Sequence, residues 1–426
     1  MKVIRIILLC IVFILCRQKI VAQKTLEISV EQAEKQFLGK NLQVLAERYN
    51  IDIADAAIVQ AKVFNNPTIG VGDVNFWNKN AANELDIANN SFGNRIVFSA
   101  QLEQMIRTAG KRRKLVEVEK TSKEIAVQEF EMFLLGLKTE LRTTLHEIIY
   151  LQSYLNVIDF QKESVNNLVE VYKKQTYAGN IAKSELIRLQ SSLIELETEA
   201  NELLIGLHGQ YKSLKILLNI PPETEIVVLD TVSGAKNPTE ISLNQLFEAA
   251  KNTHPVFLLS DLNIKYHENM LHYEKSQRSP DVGVSLNYDR YSGVWKNFVG
   301  VGVSVDIPMF NRNQGNIKIA QIKIEQSNYT ADYQRNVILQ DIAEVYEHYT
   351  RNFNYYQKLM DNDFSTDLEN MLEVYSRSFL NKNINMLEYI DFMYAYKTTK
   401  QAIFTAKKNM ETSFAELQFS INNKIE

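Results

Sequence analysis

The seven prolines of this chain are Pro67, Pro221, Pro222, Pro238, Pro255, Pro280 and Pro308, so residues 68–220 and 309–426 contain none. Proline removes a backbone donor and clashes with the preceding turn, which breaks helix interiors. Two such long runs without it permit helices far beyond the length usual in globular domains. Inside the first run, Leu186, Leu189, Leu193, Leu196, Ala200, Leu203, Leu207 and Tyr211 are spaced 3, 4, 3, 4, 3, 4 and 4. That is a coiled-coil seam lasting about three and a half heptads. The preceding stretch, from about 107 to 176, is rich in Glu, Lys, Leu and Gln and predicts a second long helix. It stops at Ala178-Gly179-Asn180, a helix-stop and turn signal. A helix of about 70 residues would be roughly 105 Å long. A hairpin of two such helices has no core of its own and must pack sideways on neighbours.

Short segments of another character separate the helical runs. Asn66-Pro67-Thr68-Ile69-Gly70-Val71-Gly72 leads to Trp77. From Phe92 to Met105, Ile96, Phe98, Ala100 and Leu102 alternate with Val97, Ser99, Gln101 and Glu103. From Asp281 to Tyr288, Val282, Val284, Leu286 and Tyr288 alternate with Gly283, Ser285 and Asn287. From Phe298 to Pro308, Val299, Val301, Val303, Val305 and Ile307 alternate with Gly300, Gly302, Ser304 and Asp306. Period-2 patterning with one apolar and one small or polar face predicts strands. At about ten residues each they have the length a barrel strand needs to cross a bilayer. Phe76, Trp77, Phe92, Tyr288, Tyr291, Trp295 and Phe298 gather at the hairpin tips, where an interfacial girdle would sit. The same pattern also fits two ordinary soluble hairpins.

The beginning of the chain reads as an export signal over residues 1–22. Lys2 and Arg5 give a positive start, Ile6 to Cys16 form an apolar run of eleven residues, and Val21-Ala22 precedes Gln23. Eleven residues are too few for a spanning helix. Phe13-Ile14-Leu15 lacks the small residue expected before a lipidated cysteine, so simple cleavage is the expectation. The only two cysteines, Cys10 and Cys16, would leave with this segment, which removes thiol chemistry and disulfides. The 47 basic and 51 acidic residues give a net charge of −4, and loss of Lys2, Arg5, Arg17 and Lys19 makes it −8. A mildly acidic chain without basic clusters is a poor nucleic-acid binder.

The chain repeats itself. Asn66-Pro67-Thr68-Ile69-Gly70-Val71 matches Ser279-Pro280-Asp281-Val282-Gly283-Val284, an offset of 213. Tyr172 and Asn180-Ile181 match Tyr375 and Asn383-Ile384, an offset of 203, the difference falling in the hairpins. The expected order is a first repeat over 23–220 (helix, β-hairpin, long helical hairpin), a linker over 221–240 carrying Pro221, Pro222, Gly234 and Pro238, and a second repeat of the same kind over 241–426. The fold class is therefore mainly α, a duplicated long α-hairpin with four β-strands per protomer. No later stretch resembles a transmembrane helix, so a membrane passage would need a closed sheet, and four strands cannot close a barrel. Several copies are needed, and three would give a twelve-stranded membrane β-barrel.

At this point the chain resembles the TolC-like outer-membrane efflux family, and more closely its CzcC/CusC-like branch. The resemblance covers nearly all of the mature chain. It rests on the duplication, on Gln104-Met105-Ile106 with Gly110-Lys111-Arg112 after the second strand, and on Ile307-Pro308-Met309-Phe310-Asn311-Arg312-Asn313-Gln314-Gly315-Asn316-Ile317 after the fourth. In that family both motifs mark the passage from barrel strand to long helix. Proline stops a ladder, glycines permit a tight bend, and polar side chains bond the freed backbone. Met105 departs from the proline usual there. The resemblance implies a homotrimer with its barrel in the lipid of the outer membrane and an α-helical tunnel in the periplasm with a mixed belt around it. It implies docking onto a periplasmic adaptor and an inner-membrane pump of the RND type, with the channel a passive conduit for small molecules or metal cations.

Channels of this family narrow at the periplasmic tip on a ring of acids. The matching stretch is Asn383-Ile384-Asn385-Met386-Leu387-Glu388-Tyr389-Ile390-Asp391, in which Glu388 and Asp391 stand on one helix face. Read without the family they are two solvated surface acids. The first-half equivalent carries Glu185 and Arg188, and Arg188 is expected to pair with an acid of the neighbouring hairpin and hold the tip shut. Gly179-Asn180 and Asn381-Lys382-Asn383 are the expected adaptor-facing tips.

The six histidines, His146, His208, His254, His267, His272 and His348, show no metal-site spacing. There is no nucleotide loop, nucleophile elbow or paired catalytic carboxylate, so no cofactor, metal or enzymatic role is expected. The rival reading is a periplasmic coiled-coil structural or adaptor protein, which would also be exported and rich in heptads.

Overall fold

The structure, a computed structural model, describes residues 25–75, 97–230, 235–292, 295–360, 364–381 and 383–422. The export segment 1–22, the aromatics Phe76, Trp77 and Phe92, and Lys382 lie outside the described residues. In chain order the elements are β1 (Thr25–Ile28), α1 (Val30–Lys40), α2 (Leu42–Lys62), β2 (Thr68–Asn75), β3 (Val97–Ile106), α3 (Lys111–Tyr177) and α4 (Lys183–Leu218). There follow β4 (Glu225–Val228), a short 3-10 turn, α5 (Leu243–Thr253), α6 (Pro255–Ser276), β5 (Val282–Ser292), β6 (Trp295–Val305), α7 (Gln314–Met360), α8 (Phe364–Leu380) and α9 (Met386–Ser420). Among the described residues no helix is long and apolar enough to cross a membrane.

The chain divides into two compact units. The first holds the described residues of Met1–Leu45, Phe133–Ala250 and Gln340–Glu426. Its core is the seam read from the sequence: Leu189, Leu196, Ala200 and Leu207 are buried, and Leu186, Leu193 and Leu203 are half-buried. Apart from Leu207, they pack with Tyr154, Ile158, Val165 and Val169 of α3 and Met386 of α9 in one cluster. A second seam escaped the sequence reading. Met386, Tyr389, Met393, Tyr396, Ile403, Ala406 and Met410 are all buried along α9. Tyrosine and methionine stand in it where leucine would have announced a heptad. Polar contacts fix its register: Gln161 Nε2 donates to the Met393 carbonyl at 2.7 Å, and Tyr389 and Ser164 hydroxyls meet at 3.2 Å.

Glu199 joins three helices of this unit. The Tyr154 hydroxyl donates to its Oε1, and Lys397 Nζ lies 2.6 Å from its Oε2. Burial raises the Tyr154 phenol, and the Glu199 carboxylate raises it further. Within the segment 221–240, β4 pairs in parallel with β1, Thr25 opposite Glu225 through Ile28 opposite Val228. Ser29 and Gln32 close a capping box at the start of α1. Asn41 Nδ2 and Gln36 Nε2 then bond the Leu217 and Leu218 carbonyls at 2.8 and 3.0 Å, satisfying the C-terminal end of α4.

The second unit comprises the described residues of Ala46–Met132 and Lys251–Leu339 and contains the larger sheet. Its order is β2-β3-β5-β6, antiparallel throughout. The register places Ile69, Leu102, Leu286 and Val301 on one face, and Gly70, Gln101, Asn287 and Gly300 on the other.

Candidate functional site

The sheet is open, and its apolar face is bare. Ile69 is 75 % exposed, Val301 75 % and Val303 70 %, an arrangement water penalises. Its opposite face is built largely of glycine, serine and amide side chains with Glu103 among them, and at two of its glycines β5 and β6 pack too closely for any larger residue. A Cβ at Gly283 would stand 2.2 Å from Ser304 Oγ, and one at Gly302 would stand 2.5 Å from Ser285 Oγ. Within the described chain β2 and β6 each have one strand partner, which leaves a row of backbone groups along either edge. Trp295 and Phe298 are exposed at the tip of the second hairpin, and Tyr288 donates there to Asn297 Oδ1 at 2.9 Å.

Both strand-to-helix passages are held by the motif residues themselves. After β3, Gly110 adopts φ +67, which glycine tolerates best. Lys111 opens α3 almost wholly buried, its Nζ 2.8 Å from Asp281 Oδ1. The same oxygen accepts from the Thr108 backbone N–H at 2.9 Å, and the Thr108 hydroxyl donates to the Pro280 carbonyl. Arg112 lies over the Phe64 ring, 3.8 Å from its centroid, and donates to the Lys62 carbonyl at 3.2 Å. Gln104 Nε2 donates to the Asn65 carbonyl at 2.9 Å. Met105, in place of the proline usual in the family motif, stands within the ladder opposite Gly283, so β3 runs on to Ile106.

After β6 the left-handed residue is Asn313, at φ +57. Gly315 lies within α7, so the bend is made by an asparagine and not by that glycine. Asn313 Nδ2 donates to the Glu274 carbonyl at 3.0 Å and to its Oε2 at 2.5 Å. Asn311 Oδ1 accepts from the Asn313 N–H at 3.1 Å, and Gln314 Oε1 accepts from the Arg312 N–H at 2.8 Å. Arg312 Nε reaches the Met309 carbonyl at 3.2 Å, one residue past Pro308. These side chains take up the backbone groups that strand and helix both leave open. Asp281 and Glu274 were not singled out from sequence as site residues. The one signal available was a difference between the repeats, Pro280-Asp281 standing where the first has Pro67-Thr68.

At the hairpin tips, Gly179 takes φ +78 and the Asn180 N–H donates back to the Gln175 carbonyl at 2.9 Å, a left-handed helix stop. The other turn has the Asn381 N–H on the Arg377 carbonyl at 2.9 Å and the Asn383 N–H on the Ser378 carbonyl at 2.8 Å. Glu388 has a local duty, since its Oε2 accepts from the Asn385 N–H at 3.0 Å while Asn385 Oδ1 accepts from the Glu388 N–H at 3.0 Å. This is a capping box. Asp391, Glu185 and Arg188 are exposed, and Arg188 forms no ion pair among the described residues. The phenol of Tyr172 is raised by burial and by the nearby Glu185. Among the described residues no group of three His, Cys, Asp or Glu side chains could hold a metal ion.

The described residues thus combine an open four-stranded sheet with long helical hairpins, a fold shared with solved outer-membrane channels. No family model matches the chain. It is 21 % identical over 314 residues to the cobalt-zinc-cadmium resistance protein CzcC of Cupriavidus metallidurans, covering 72 % of this chain and 69 % of that protein. It superposes on crystal structures of CusC with a TM-score of 0.71 at 13 % identity, covering 93 % of this chain and 92 % of that one. The CmeC outer-membrane channel of Campylobacter jejuni matches with a TM-score of 0.73 at 12 % identity, covering 92 % and 85 %. The outer-membrane protein VceC of Vibrio cholerae matches at 0.69 and 12 % identity, covering 93 % and 97 %. These likenesses all point to the TolC-like outer-membrane factor family and to its CzcC/CusC-like members, as the motifs imply.

Proposed function

We propose that the chain is the outer-membrane channel subunit of a tripartite efflux system. Three copies join β6 of one to β2 of the next, so that twelve strands close one barrel. The bare valine face of the sheet supports this most directly: it suits lipid and nothing aqueous. The long helical hairpins of the two repeats, 23–220 and 241–426, assemble into a tunnel on the periplasmic side, with 221–240 between them. The turns at Gly179-Asn180 and at 381–383 meet a periplasmic adaptor, and an inner-membrane pump of the RND type supplies the energy. The protein itself moves cargo passively.

The cargo is small molecules or metal cations; the relation to a protein named for cobalt, zinc and cadmium resistance favours the cations. Glu388 and Asp391 gate the periplasmic end, with Glu185 and Arg188 on the first hairpin. Three copies would bring six carboxylates to one axis, a ring that favours cations.

The test is cell fractionation followed by planar-bilayer recording of the purified protein. Recovery in the outer membrane and discrete conductance steps are expected. Recovery in the soluble periplasmic fraction, with no conductance, would replace this reading by that of a coiled-coil adaptor.

A further inference from the structure

Among the described residues of the sheet, one acidic side chain, Glu103, is left without a partner. Glu103 of β3 sits on the small, polar face, opposite Thr68 of β2 and Ser285 of β5. It is half-buried, and its carboxylate lies across β5: a Cβ at Gly283 would come within 2.9 Å of Glu103 Oε1. Glycine at 283 thus makes the bed on which this carboxylate lies. Among the described residues Glu103 has no hydrogen bond and no ion pair. Asp281, two residues before that glycine, is by contrast tied to Lys111 at 2.8 Å. Its nearest neighbours on that face, Gln101, Ser285, Asn287 and Ser304, are uncharged, and the acid further along it, Asp289 of β5, has a partner of its own.

We infer that Glu103 is a charge-selecting residue of the barrel lumen, favouring cations over anions where strands give way to helices. This rests on the channel reading, which makes the polar face the lining and repeats Glu103 once per copy at one height. A fixed negative charge in a pore with low-dielectric walls raises the local cation concentration and repels anions. Substitutions on the lumen side of a barrel tune selectivity without disturbing its lipid face. Glu103 stands in the sheet, and so it acts apart from the acids of the hairpin tips.

The experiment is the reversal potential of single channels in a KCl gradient, with the full-length exported protein. At about 0.1 M salt, where screening extends over only about 10 Å, Glu103→Gln should lower the potassium-to-chloride permeability ratio roughly twofold or more. Glu103→Asp should keep it. Residues 23–426 contain no cysteine. Glu103→Cys therefore offers a single thiol, and a sulfonate-bearing thiol reagent should restore the ratio that an ammonium-bearing one lowers further. Channels of normal conductance whose ratio ignores both the substitution and the sign of the added charge would overturn the inference and leave the channel reading standing. Absence of any conductance from the unaltered protein would overturn both.

Discussion

Lys111 Nζ lies 2.8 Å from Asp281 Oδ1, with the lysine side chain 5 % exposed. This contact ties the first turn of α3 to the start of β5, 170 residues further along the chain. Removing the acid alone strands a buried ammonium. Asp281→Ala should therefore destabilise the protein by roughly 3 kcal/mol. The paired replacement Lys111→Met with Asp281→Ala should cost less than Asp281→Ala alone, since no orphaned charge remains. Thermal unfolding in detergent reads both, and equal losses would refute this account of the junction.

The seam of the first hairpin makes a sharper contrast. Leu189 is completely buried, whereas Tyr177, one turn before the tip, is 97 % exposed. Leu189→Ala should cost about 3 kcal/mol through lost burial and the cavity left behind. Tyr177→Ala should stay within about 0.5 kcal/mol. Denaturant midpoints measured side by side decide it, and a near-neutral Leu189→Ala would mean the seam is not packed as described.

His146 gives a pH dependence with a definite sign. Burial pushes its imidazole down to about 4, Arg142 and Lys407 push the same way, and Asp230 opposes. Glu411 Oε2 stands 3.8 Å from its Nδ1. The unfolded chain takes up this proton near 6.5, before the folded one does. His146 therefore contributes stability that is fully present above pH 6.5 and is lost as pH falls toward 4, a change of about 3 kcal/mol. His146→Gln should flatten the stability profile across that window, as followed by unfolding at fixed pH steps. A profile of unchanged slope would contradict it.

At the tip, charge and capping can be separated. Glutamine keeps the acceptor that Glu388 offers to the Asn385 N–H, so Glu388→Gln removes charge and leaves the capping box. Paired with Asp391→Asn it should weaken cation preference and, by removing like-charge repulsion at the axis, lower the open probability in bilayer recordings, while α9 keeps its first turn. Asn385→Ala should instead cost about 1 kcal/mol of helix stability. Arg188→Ala should raise the conductance of closed channels, and unchanged conductance would exclude it as a latch.

Local pattern made much of this fold readable. The proline-free runs foretold α3 and α4, the 3-4 spacing foretold the packed face of α4 from Leu189 to Leu207 but not the buried Leu214, Leu217 and Leu218 beyond it, and strict alternation foretold β5 and β6. Partnerships distant in sequence were not readable: Asp281 with Lys111, Asn313 with Glu274, and β1 with β4, whose strands of four residues are too short to carry a period. The seam of α9 hid behind tyrosine and methionine. Glycine misled at one point, since Gly315 looked like the bend that Asn313 makes.

The claim on which the channel reading stands is that one copy supplies only a third of a closed wall. The number of chains per particle measures it directly, by light scattering or native mass spectrometry on protein extracted from the outer membrane in mild detergent. Three chains per particle is the predicted result. A single chain, stable and monodisperse in buffer without detergent, would contradict it.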